Sequence, residues 1–158
     1  MDNKELLKEL DKMFEECKKE LGFKTSFKEL DSVFFLKDFV ISSKFVSQDF
    51  SRALCHRIVD TFNGWAGYLN SLIVPNPGII AHYVESSMFD EDEKKEIVLL
   101  YYRVLELASR NPLIVLSKNK KMEGKFIDYA FKFWKKEFQP KMVKIIKKVN
   151  SGWAEKSK

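Results

Sequence analysis

Apolar residues recur at three- and four-residue spacing along nearly the whole chain, which predicts amphipathic helices from end to end. Over residues 3–21, Leu6, Leu7, Leu10, Met13, Phe14, Cys17 and Leu21 recur at helical spacing, and Gly22 stands where a helix closes on a left-handed glycine. A second helix starts at Ser26, with Glu29 completing a capping box, and carries Leu30, Val33, Phe34, Leu36, Val40 and Ile41 inward to about residue 42. The longest helix spans residues 47–74, where Phe50, Leu54, Ile58, Phe62, Trp65, Leu69 and Leu72 form one stripe that Pro75 ends. Asn76 and Pro77 read as the cap and first residue of a fourth helix, with Ile79, Ile80, Tyr83, Val84 and Met88 facing inward.

A fifth helix opens at Asp90, with Glu93 three residues on and acids filling its first turn, as the helix dipole favours. Residues 97–107 are apolar on almost every side, the pattern of a central helix, and Asn111-Pro112 is expected to stop it. Leu113 to Leu116 has strand composition but no strand to pair with, so it reads as a buried connector or a single helical turn. Residues 122–138 form a further helix burying Phe126, Ile127, Ala130, Phe131 and Trp134. Pro140 either kinks it or opens a last one carrying Met142, Ile145, Ile146, Val149 and Trp153. The expected fold is all-α, an irregular bundle of six to seven helices with the third and fifth central. It forms a single domain over residues 1–158, a length that one core fills.

Composition agrees: six Gly and four Pro in 158 residues leave few turns for an all-β fold. Cys17 and Cys55 lack metal-ligand spacing and read as buried thiols in a cytoplasmic protein. The longest uncharged run, residues 61–84, is broken at its middle by prolines and glycines, so no transmembrane segment is expected. The opening residues read as an amphipathic helix and not as a secretion signal.

Charge is uneven. Residues 118–158, a basic C-terminal helical segment, hold 13 Lys and no Arg against four acids, or +9, while the rest of the chain carries −4. Lys141, Lys144, Lys147 and Lys148 fall opposite the last apolar stripe and are candidates for anion binding. Lysines there would attract phosphates without reading base sequence, so non-specific nucleic acid is a possible partner. An anionic membrane surface is the weaker alternative.

The back of the longest helix is unusual. In place of Lys and Glu it carries Ala53, His56, Asp60, Asn63, Gly64, Gly67 and Ser71, small and lightly charged. Interior glycines cost about 1 kcal/mol each relative to Ala, so this face is expected to be shielded as a helix crossing, a self-association seam or a ligand pocket. His56 with Asp60 and His82 with Glu85 each project from one side of a helix, and together they form a candidate metal set. The Glu-x-x-His order of a di-iron bundle is missing, as is every nucleophile, phosphate-loop or dinucleotide signature. The reading is therefore a helical interaction or scaffold module that self-associates or binds another protein, with no cofactor. A lysine-rich nucleic-acid binder and a helical metal- or small-ligand-binding enzyme are the alternatives.

Overall fold

A computed structural model describes residues 2–158. Among them every regular element is helical, in the order α1 (Asn3–Leu21), α2 (Phe27–Phe34), α3 (Leu36–Ser43), α4 (Phe50–Ile73), α5 (Ile80–Ser87), α6 (Glu91–Ser117) and α7 (Lys120–Phe133). A π turn (Trp134–Phe138) and α8 (Gln139–Lys156) complete it. The last three run on without a break, giving seven continuous helical rods and an all-α bundle.

Local chemistry sets most of these ends. Asp2 and Glu5 cap α1 reciprocally, and Gly22 closes it at φ 70°. Ser26 and Glu29 cap α2 in the same way, and Asp90 with Glu93 does so for α6.

Three boundaries depart from expectation, and a fourth, at Pro140, follows one of its two readings. The helix expected over residues 26–42 is two, because Phe35 takes the left-handed conformation at φ 53° while the Asp31 side chain accepts the Lys37 N–H. Asn76 and Pro77 start no helix. The Asn76 side chain accepts the Gly78 N–H in a turn, and α5 begins at Ile80. Pro112 does not stop α6, which continues to Ser117 and carries Leu113, Val115 and Leu116 on exposed positions. Pro140 sits in the first turn of α8, as the reading that it opens the last helix expects, although α8 continues the rod of α7 through the π turn. An α-helical proline clashes with the carbonyl four residues back, and here the π turn, closed by the Gln139 N–H on the Trp134 carbonyl, widens the ladder just before it.

The chain gathers into two compact units. Unit 1 is Met1–Thr61 with Ser109–Lys132, and unit 2 is Phe62–Ala108 with Phe133–Lys158. In unit 1, Phe14 of α1 meets the rings of Phe23, Phe27 and Phe50 edge-on at 5.1–6.4 Å. Around it lie buried Leu6, Leu10, Leu30, Phe34, Leu54, Ile58 and Ile127. The Asp128 carboxylate accepts the Lys24 and Thr25 N–H groups and the Thr25 hydroxyl, fixing the entry to α2.

Unit 2 is built on Phe62, which packs against Phe133, Trp134 and Phe138 at 5.4–5.7 Å, with Leu69, Leu72, Leu100, Val104 and Leu107 closing the core. The Ser86 hydroxyl donates to the Leu72 carbonyl, and the Trp153 indole N–H donates to Glu85, which ties α8 to α5.

Candidate functional site

The back of α4 divides. Within unit 1, Ala53, His56 and Asp60 border an apolar cavity of about 230 Å³ whose floor is the buried Leu10, Leu36, Val40, Phe50 and Leu54. Within unit 2, Asn63, Gly64 and Gly67 are exposed, and a Cβ added at either glycine would meet nothing within 4 Å. The crossing helix expected at these glycines is therefore not there: among the described residues no other part of the chain comes within 4 Å of where a Cβ would stand. Ser71 alone is buried, its hydroxyl donating to the Tyr68 carbonyl.

The candidate metal set does not assemble. Among the described residues no three His, Cys, Asp or Glu side chains form a group able to hold a metal ion. Glu85 accepts the Trp153 indole N–H at 2.8 Å, and His56 and Asp60 lie on the exposed rim of the cavity.

On α8, Lys141, Lys144, Lys147 and Lys148 are all exposed, but they are not equivalent. Lys148 donates to both carboxylate oxygens of Glu93 and lies 5.4 Å from the Phe89 ring. That contact, with the Asp90 N–H, holds the Glu93 carboxyl below the usual carboxylate range. Lys141 and Lys144 border the same groove, about 410 Å³ in volume, beside Glu96. Two carboxylates therefore offset much of the lysine charge on that side.

Cys17 and Cys55 are free and buried. Burial pushes both thiols up from 9.0 to about 12, with the Glu123 charge adding to the rise, so neither is a nucleophile at neutral pH. Near them Arg52 and Glu123 stand 3.7 Å apart, and Arg52 Nε, Nη1 and Nη2 and Glu123 Oε2 have no hydrogen-bond partner.

Two features went unread in the sequence. One is Arg57, whose Nε–H donates to the Phe34 carbonyl at 2.8 Å while its guanidinium lies 5.3 Å from the Phe39 ring at the cavity wall. The signal was present in Phe39 and Phe45, aromatics off the apolar stripe, and both are exposed. The other is the outer face of α6. The nearly all-round apolar run predicted a central helix, yet Leu99 is 63% exposed, Tyr102 60% and Leu105 39%. Ile80 and Tyr83 of α5, expected inward, are exposed as well. Among the described residues no helix is long and apolar enough to cross a membrane. No protein-family model, curated protein or solved structure matches this chain.

Proposed function

We propose that this chain is a helical interaction module that pairs with a second copy of itself through the outer face of α6 in unit 2. The observation that carries the reading is the exposure of Leu99, Tyr102 and Leu105 at three-residue spacing on one side of that helix. Side chains three apart are surface neighbours, so these residues form an apolar ridge, flanked by the exposed Arg103 and Glu106. Apolar ridges of this kind mark association surfaces more often than they face water.

Symmetry favours a second copy over a foreign partner. A two-fold interface brings the same patch of both subunits together. Leu99 and Leu105 lie three residues to either side of Tyr102. An antiparallel crossing centred on Tyr102 sets Leu99 of one copy on Leu105 of the other, and the reverse, with the two tyrosines at the middle. Tyrosine is enriched at such centres because it fills area at low entropic cost and keeps a polar tip.

Sedimentation from micromolar to millimolar protein tests this. The native chain should run as a dimer, and Tyr102→Glu should run as a monomer with unchanged helical circular dichroism. Gly67→Lys, on the back of α4, should leave the dimer intact. A native chain that stays monomeric at millimolar concentration, or a Tyr102→Glu protein that still pairs, overturns the reading. Loss of pairing in Gly67→Lys alone would move the seam to α4.

A further inference from the structure

The cavity of unit 1 combines two features that suit a bound small acid. The first is its shape, an apolar hollow of about 230 Å³ that opens to solvent past Phe39 and Phe45 over a floor of buried Leu10, Leu36, Val40, Phe50 and Leu54. An apolar cavity of ~150 Å³ takes up benzene. The second is Arg57. Its Nε–H donates to the Phe34 carbonyl and its guanidinium carbon stands 5.3 Å from the centre of the Phe39 ring, which positions the group at the cavity wall. Its two Nη groups donate to no acceptor and its charge meets no carboxylate within 4 Å among the described residues. A half-buried guanidinium with both outer nitrogens open presents the fork that binds a carboxylate through two parallel hydrogen bonds.

We infer that this cavity is a binding site for a small aromatic carboxylate, with its ring system among Phe39, Phe45 and Phe50 and its acid group on the Nη pair of Arg57. The ring walls favour an aromatic body, because aromatic pairs in edge or offset contact gain beyond the area they bury. Scaling from the benzene-sized cavity, the volume takes a body of roughly nine or ten non-hydrogen atoms, a fused bicycle. Asp60 also borders the cavity but is exposed, where water screens its repulsion of an incoming acid. Phe39 and Phe45 are exposed at the mouth, so the ligand covers apolar surface that the chain leaves in water. This site belongs to unit 1 and stands independently of the pairing face of α6.

The test uses 2-naphthoate and its uncharged counterpart 2-naphthylmethanol, which share one body and differ in the acid. The readout is the Val40 and Leu54 methyl signals in a nuclear magnetic resonance titration of the full chain. Naphthoate should shift both saturably, and the alcohol should bind roughly tenfold more weakly for want of the charged hydrogen bonds. Arg57→Gln should reduce the acid to the affinity of the alcohol while leaving the alcohol unchanged, which also shows that the cavity has kept its shape. Ala53→Phe, which fills the space from the half-buried rim, should abolish binding of both probes. The inference is overturned if neither probe shifts the methyls saturably, if acid and alcohol bind the native chain alike, or if Arg57→Gln keeps the preference for the acid.

Discussion

Gly124 lies where α7 meets the end of α1, and a Cβ built on it would stand 2.7 Å from the Leu21 carbonyl oxygen. A backbone oxygen cannot step aside as a side chain can, so α7 must move. Ala gains up to about 1 kcal/mol over Gly as a helix former, but overpacking of this kind costs about 1–3 kcal/mol. Gly124→Ala should therefore lower the urea midpoint. Gly64→Ala and Gly67→Ala have open space around them and should raise it, each by roughly 0.5–1 kcal/mol. A loss of stability at Gly64 or Gly67 would mean that the back of α4 has company in solution which the single chain does not supply. These glycines read alike in the sequence, because the sequence carries no record of what stands opposite. The same limit hid Arg57. Its charge was visible, but its fixing on the Phe34 carbonyl joins residues 23 positions apart.

At the scale of elements, what was legible is what is decided locally. Caps within three residues, such as Ser26 with Glu29 and Asp90 with Glu93, and the left-handed Gly22 were all readable. The break at Phe35 was not, since a bulky residue at positive φ is held by its surroundings and not by preference. Pro112 misled in the other direction: it reads as a stop but lies inside α6, whereas Pro140 stands in the first turn of α8, where a proline is tolerated. The start of α6 also yields a pH prediction. Glu93 has a lowered pKa through its bonds to Lys148 and the Asp90 N–H. A carboxyl lowered in the folded state contributes stability above its unfolded value, near 4.5, and loses it as pH falls through the folded one. Glu93→Gln should thus be less stable than the native chain at pH 7. The gap should close below about pH 4.5, as thermal melts across that range will show. A gap that persists in acid would mean that the side chain acts by shape and not by charge.

For the whole molecule, the uneven charge was plain from counting, but its use was not: Lys148 faces Glu93 from 55 positions away. The exposure of α6 was hidden for a related reason. An apolar run records that a surface avoids water, not whether the chain itself or a second molecule covers it. The two thiols act at this scale because both belong to unit 1, while unit 2 has no cysteine. Each is held neutral to about 12 in the fold but ionises near 9.0 when released. A raised folded value means stability that is whole below pH 9 and is lost as pH climbs toward 12. Of the protons released on unfolding above pH 9, the thiols should supply up to two per chain, beside one from Tyr68, which burial raises from 10.0 to about 12, and Cys17→Ser with Cys55→Ala should remove the thiol share.

Because an alkylating reagent reaches these sulfurs only when the surrounding helices part, the rate of carbamidomethylation under native conditions becomes a clock for the opening of one half of the chain. Trp65, Trp134 and Trp153 all lie in the other half, so their emission keeps time separately. Natural residues therefore allow the breathing of each half to be followed without introducing a foreign side chain.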